Sequence, residues 1–386
     1  MRICHVITRM IVGGAQENTL FTVRGHLEHG HETVLVTGPT RGPEGKLLEH
    51  EAPPGLKVVT NDHLVRELNP VQDWLAYRTL RAYFAAERFD VVHTHSSKAG
   101  IVGRFAARHA GVPVVVHTVH GQAFHPYQAA WRNQIYIRAE RMSAKVSDRI
   151  YAVAQAMIDQ CVRARVGPAE LYRVVYSGMN LEPYLQAKRD PALAAQVGLP
   201  DDAIVVGKIA RLFELKGYEY LIEAAPAIVA ACPRVRFLIV GDGALRATLE
   251  RRIAELGLQQ AFVFVGLVPP SEIPRYTGLM NILVHLSLRE GLPRTVVQGL
   301  ASGIPAIGFP LDGTPEVIRD GETGILCPTG DVTAVAKAVT RLASDAELAR
   351  RMGAAGRAYV RERWDWHTMV DALETDYARL LAEKRG

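Results

Sequence analysis

Cysteine is scarce in this 386-residue chain: Cys4, Cys161, Cys232 and Cys327 lie far apart and form no CxxC pair. That pattern speaks against a zinc ribbon or a disulfide scaffold and fits reduced thiols in a cytoplasm. Long apolar runs are missing as well. No stretch reaches the roughly 18 apolar residues of a membrane span, and the opening MRICHVITRMIVGGAQ is too short and too interrupted for a signal peptide. The expectation is a cytoplasmic, soluble chain, at most peripheral to a membrane. There is no GxGxxG fingerprint with an acidic residue after a second strand, which weakens a nicotinamide-dependent dehydrogenase, and neither HExxH nor DxD occurs.

What is present is the composition of a folded globular protein, 48% hydrophobic and 22% charged. The length suits two domains of about 180 residues each. A formal charge of +5 favours anionic partners. The basic residues are dispersed and no nucleic-acid module is recognisable, so nucleic acid is not an expected partner.

Short β-branched runs alternate with helical patterns in both halves. RICHVIT, HETVLVTG, DVVHTH and PVVVHTVH read as strands, with helical spacing from Ala15 to Glu28 and Trp74 to Glu87. The pattern restarts with AIVVGKIA, VRFLIVGDG, AFVFVGL, NILVHLS, IPAIGF and GILC. Two Rossmann-like, parallel-sheet α/β domains follow, spanning 1–180 and 190–364, with ligand sites at the carboxyl ends of the strands. The linker falls within Val174 to Ala192, where Gly178, Pro183 and Pro191 interrupt regular structure. Residues 365–386 read as an amphipathic helix ending in Lys384 and Arg385, suited to a helix C-terminus.

Four stretches carry chemistry. In VITRMIVGGAQ a strand runs into Gly13-Gly14 and a helix, a turn that brings backbone close to a ligand and offers N–H groups to an anion; a plain tight βα connection is the simpler account. In VGKIARLFELKG, Arg211 ends a strand and Lys216 follows five residues later, two cations able to grip a diphosphate, or else a solvated basic loop. In REGLPRTVVQGLASGIPAIG, Glu290 and Gly291 stand after a strand and Pro293 suits the first turn of a helix. The open amides there favour a phosphate and Glu290 accepts from hydroxyl groups, unless it only caps the helix. Finally His93, His95, His117, His120 and His125 make a metal site conceivable, but the chain lacks the carboxylate partners, so no metal is expected.

Taken together and in order, GGAQ, HTHSSKAG, HTVHGQAFH, IARLFELKG, VGDG and REGLPRTVVQGLASGIPAIG resemble the family 4 retaining glycosyltransferases over nearly the whole chain. The resemblance implies a GT-B fold, two Rossmann-like domains facing an interdomain cleft, with His120 at that cleft orienting the sugar. It implies an N-terminal acceptor-binding domain on which the final helix packs back, and a C-terminal domain holding a nucleotide sugar, with UDP as the expected nucleotide. Arg211 and Lys216 would bind the diphosphate. Glu290 with the amides of Gly291 and Leu292 would meet sugar and phosphate, while Gly13, Gly14, Gly241, Leu267 and Val268 complete the donor site. The family's second polar position on that helix is usually Glu; here Gln298 stands eight residues after Glu290, and an amide still accepts from one hydroxyl and donates to another.

The resemblance further implies a retaining, metal-independent transfer of a hexose or N-acetylhexosamine, with no cofactor. Its leaning towards bacterial enzymes of lipid-linked or capsular saccharide assembly points to a polyprenyl-diphosphate-linked acceptor. The segment WRNQIYIRAERMSAKVSDRI, with Trp131, Ile135, Tyr136 and Ile137 among Arg132, Arg138, Arg141, Lys145 and Arg149, would form a basic, aromatic helix at an anionic membrane, or a solvated helix packed on its own domain. Two rival readings remain at this point: a nucleotide-sugar epimerase of the same fold, for which no acid/base pair is apparent, and a non-catalytic two-domain binding protein.

Overall fold

The computed structural model describes residues 1–40 and 47–385; the last residue of the expected C-terminal helix, Gly386, lies outside them. The chain forms two compact units, Met1–Met179 joined by the segment from Trp366 onward, and Asn180–Asp365.

The first unit carries seven strands: β1 (Arg2–Ile7), β2 (Glu32–Thr37), β3 (Lys57–Thr60), β4 (Val91–His95), β5 (Val114–Val119), β6 (Arg149–Ala152) and β7 (Tyr172–Val174). They lie in the order β3-β2-β1-β4-β5-β6-β7, every neighbouring pair parallel. β1, β4 and β5 are almost wholly buried, as strands covered on both faces by crossover helices must be. β3, β6 and β7 escape the sequence reading. Each is only three or four residues long, too short for a period to show. The WRNQIYIRAERMSAKVSDRI segment is helical only over Ala130–Ala144; Arg149 opens β6 instead.

The helix Trp366–Arg385 belongs to this unit and packs along the Gly14–Glu28 helix. Its buried Asp376 accepts from Tyr151 Oη at 2.9 Å and pairs with Arg379, Arg173 and Arg149 at 2.8, 3.1 and 3.3 Å. One step along, Tyr377 Oη meets His93 Nδ1 at 2.5 Å. Val370, Leu373, Tyr377 and Leu380 complete the seal against Ile3, Val91 and Val114.

The second unit has six parallel strands in the order β10-β9-β8-β11-β12-β13: β8 (Ile204–Ile209), β9 (Val235–Val240), β10 (Phe262–Gly266), β11 (Ile282–His285), β12 (Ala306–Gly308) and β13 (Gly324–Leu326). Its core gathers Phe237, Ile239, Ile282, Val284 and Ile307 from the sheet with Leu221, Ile228 and Val339 from flanking helices. In both sheets the connections reverse direction at one place, beside β1 and β4 in the first and beside β8 and β11 in the second. Loops diverge there, and a crevice opens at the carboxyl ends of the strands.

Candidate active site

In the second unit, the two loops that leave this reversal point carry the charged residues singled out from the sequence. β8 is followed by Arg211 and Lys216, β11 by Glu290. Lys216 Nζ donates to Glu290 Oε1 at 2.5 Å. Backbone conformation makes that meeting possible: Leu215 has φ 65°, and Gly217 has φ 66° with space for a Cβ only 1.9 Å from Leu286 O. A side chain at 217 would collide with the backbone of Leu286, just past β11. The two loops are also tied through Leu288 N to Leu215 O at 2.8 Å.

Glu290 is braced from a third loop. Its amide donates to Asp312 Oδ2 at 2.7 Å, and Gly313 N donates to Gly291 O at 3.2 Å. Asp312 itself holds φ 50°, an unusual conformation for a residue with a Cβ and one that concentrates at working sites. The helix after this loop begins at Arg294 with Pro293 as its N-cap. Glu290 therefore sits ahead of the first turn rather than in it, and its carboxylate goes to Lys216 instead of capping the helix. Gly291 and Leu292 occupy the intervening turn, and Gln298 stands half-buried in the helix.

Burial alone would raise the Glu290 carboxyl, but Lys216 and His285 hold it below the ordinary range. His285 Nε2 lies 3.8 Å from Glu290 Oε1, with Thr295 Oγ1 3.4 Å from its Nδ1. Burial pushes His285 down to about 4, so the ring is neutral at pH 7. Beneath them Lys208 is 1% exposed, its ammonium 4.8 Å from the Tyr218 ring centre; burial and then Lys216 bring it down to about 7. Lys208, His285 and Asp312 belong to this site without forming any motif in the sequence. A lysine inside the apolar run IVVGKI and a histidine closing ILVH were the available signals, since such side chains are seldom buried without a task.

Arg211 is exposed, its guanidinium 5.2 Å from the Phe213 ring centre. Gly241 has φ 133°, and a Cβ there would stand 2.1 Å from Ala210 O, so this glycine lets β9 support the peptide that presents Arg211. Leu267, 76% exposed, and half-buried Val268 follow β10.

In the first unit, Gly13 caps the Gly14–Glu28 helix with no side-chain hydrogen bond. Gly13 has φ 177°, ordinary extended backbone, so the turn alone does not require glycine. His120 and Gly121 follow β5 and line a cavity of about 260 Å³ with Ser96, Ser97 and His117. Thr8, Arg9, Gln16, Lys98 and Tyr136 border another of about 500 Å³. Ser96, shared by both cavities, has φ 61° and ψ 153°, a conformation costly for any residue but glycine.

The histidines are not a surface cluster. His5, His93 and His95 are fully buried in neighbouring strands, and one ring nitrogen of each lies within 4.8 Å of the others. His93 already uses both nitrogens, on Tyr377 Oη at 2.5 Å and Thr118 Oγ1 at 2.7 Å. A metal that took His93 as a ligand would have to displace one of these two partners.

Residues 190–359 match the glycosyl transferases group 1 family and residues 13–178 the glycosyl transferase 4-like domain. An Escherichia coli UDP-Gal:alpha-D-GlcNAc-diphosphoundecaprenol alpha-1,3-galactosyltransferase is 30% identical over 289 residues, 74% of either chain. The chain belongs to glycosyltransferase family 4. The putative glycosyltransferase EpsD of Bacillus subtilis is 29% identical, over 74% of this chain and 76% of its own. Among solved structures, Anabaena HepE in complex with UDP superposes with a TM-score of 0.81 at 23% identity, covering 98% of this chain and 100% of that one. Sucrose-phosphate synthase from Thermosynechococcus elongatus gives 0.85 at 22%, covering 99% and 100%. The transferase thus has the GT-B fold, and the epimerase and binding-protein readings fall away. Among the described residues no helix of the transferase is long and apolar enough to cross a membrane.

Proposed function

We propose that this transferase moves a hexose or N-acetylhexosamine from a UDP-sugar, with retention and without a metal, to a hydroxyl of a polyprenyl-diphosphate-linked saccharide. The observation that carries the donor side is the Lys216 and Glu290 pair, 2.5 Å apart at the reversal point of the second sheet. In the reaction the bond from the anomeric carbon to the diphosphate oxygen breaks with its electron pair leaving on the diphosphate. The acceptor oxygen bonds the same face of the anomeric carbon, and its proton passes to the departing phosphate. Negative charge grows on the diphosphate, so fixed cations and open amides stabilise the transition state more than the bound sugar. Arg211 and Lys216 supply the cations, the turn at Gly291 and Leu292 the amides, and Glu290 holds a sugar hydroxyl. Gln298 serves the ribose, and Gly13, Gly14, Gly241, Leu267 and Val268 border the donor. His120 orients the sugar. In this reading the first unit binds the acceptor and the second the donor.

The acceptor assignment leans on the galactosyltransferase relative, whose name specifies a diphosphoundecaprenol substrate. A membrane face would suit it. Trp131, Ile135, Arg138 and Met142 are all exposed at helical spacing, with Arg132 and Lys145 beside them, a pattern fit for the interface of an anionic bilayer at its cytoplasmic side. Four residues of that segment do not belong to this face. Arg141 donates to Ala164 O at 2.7 Å, Arg149 pairs with Asp376, Tyr136 lines a cavity and Ile137 packs on the core. Incubating the chain with a panel of UDP-sugars and a lipid-linked acceptor, with EDTA present, tests the reading. An α-linked product from an α-donor is expected; an inverted linkage or dependence on added metal would contradict it.

A further inference from the structure

The buried histidines do more than fill space. His5 Nδ1 lies 3.0 Å from His95 Nε2, and His95 Nδ1 lies 3.1 Å from His120 Nε2. The rings follow one another edge to edge, with centroids 5.3 Å apart in both steps and planes 21° and 27° from parallel. Parallel pairing of β1 with β4 and of β4 with β5 sets this order, since it places the three side chains on adjacent strands and the loop that follows. Each contact needs one nitrogen with a proton and one without. Two arrangements satisfy both contacts, and they run in opposite directions.

The far end of the row decides between them. His5 Nε2 is buried and has no hydrogen-bond partner. If the row ran from His120 inwards, that nitrogen would carry a buried N–H with no acceptor, a rare condition in folded proteins. If it runs outwards, His5 Nε2 is a bare lone pair. The neighbouring His26, stacked on His5 at 5.2 Å, already settles for this. Its Nδ1 donates to the Glu374 carboxylate at 2.7 Å, which leaves its own buried Nε2 as an unbonded lone pair. Burial also holds His5, His26 and His95 below the ordinary histidine range, so these rings are neutral at pH 7.

We infer that His5 and His95 are positioning residues that fix His120 as the tautomer protonated on Nδ1. His5 Nδ1–H donates to His95 Nε2, His95 Nδ1–H donates to His120 Nε2, and His120 meets its remaining partners as a hydrogen-bond donor at Nδ1. Bonds in series polarise one another, which strengthens the preference. This inference rests on the proposed role of His120 in orienting the sugar. A donor at that place suits a sugar hydroxyl or carbonyl oxygen.

The direct test is nitrogen NMR of the full chain labelled with 15N-histidine at pH 7, with His120 assigned from the signal lost in His120→Gln. The expected result is His120 and His95 each protonated on Nδ1 and bare on Nε2. A proton on His120 Nε2, or stoichiometric zinc bound by the purified protein at His5, His93 and His95, overturns the inference. This readout needs no turnover, so it separates the inference from the glycosyl-transfer reading, which fails if no UDP-sugar is consumed. Kinetics supply the second arm. His5→Leu is expected to lower kcat by up to about 100-fold, the scale of a misplaced group, with the donor KM little changed. His5→Asn, which keeps an N–H near the place of Nδ1, restores it. A folded His5→Leu with unchanged kcat overturns the positioning role.

Discussion

Lys208 lies within β8 and Lys216 in the loop that follows it, and their surroundings divide their work. Lys216 is partly exposed and paired with Glu290, whereas Lys208 is sealed below with the Tyr218 ring for company. A lysine brought down to about 7 in the folded state but ordinary when unfolded binds fewer protons when folded between about pH 7 and 10. Folding stability contributed by this group therefore rises with pH across that window, and its full penalty stands below pH 7. Lys208→Met is expected to unfold at a higher temperature than the parent at pH 6, with the gap closing towards pH 10; a gap that is constant with pH would show that Lys208 does not titrate there. Arg211→Ala and Lys216→Ala are each expected to lower turnover of a UDP-sugar by roughly 100-fold, the scale of one lost transition-state donor. For Glu290→Ala, unaltered donor kinetics would contradict a role in holding the sugar.

Among the elements, the loop from Arg211 to Gly217 ends at a position that leaves no room for a side chain. Gly217→Ala must place a methyl 1.9 Å from Leu286 O, whereas Gly198, with φ 78°, has open space around it. The first substitution is expected to cost more than about 3 kcal/mol through strain and collision, the second about 1 kcal/mol through backbone strain alone. Chemical denaturation of the two variants checks this, and equal losses would contradict the packing argument. The strands that place the chemistry were legible in sequence because they are long apolar runs, as in RICHVIT and VRFLIVGDG. Arg211, Lys216 and Glu290 were legible because each follows such a run. Asp312 was not, since a DG pair reads as a turn, and nothing local says that its carboxylate reaches back 22 residues to the Glu290 amide. The row from His5 to His120 was hidden for the same reason: only the sheet register brings residues so distant in sequence together.

For the whole molecule, both sheets share the strand order of dinucleotide-binding folds; the second gathers Lys216 and Glu290 at its reversal point, while the first gathers histidines, hydroxyls and two cavities, one of them bordered by Lys98 paired with Asp73 at 2.5 Å. The proposal that the second unit holds the donor rests on the Lys216 and Glu290 pair and on the family resemblance. Reversing charge at Arg138 and Lys145, both exposed, is expected to reduce pelleting with anionic liposomes, while the same change at the internally bonded Arg141 would confound folding with binding. No pelleting by the parent protein would remove the membrane face.

In the proposed reaction the cations after β8 hold the diphosphate. Calorimetric titration of UDP and of uridine into the full chain, with EDTA present, addresses it most directly. Arg211→Ala and Lys216→Ala are each expected to weaken UDP binding by about tenfold to a hundredfold, the worth of one charge-assisted hydrogen bond, while uridine binds all three proteins alike. UDP affinity unchanged in both variants would contradict it.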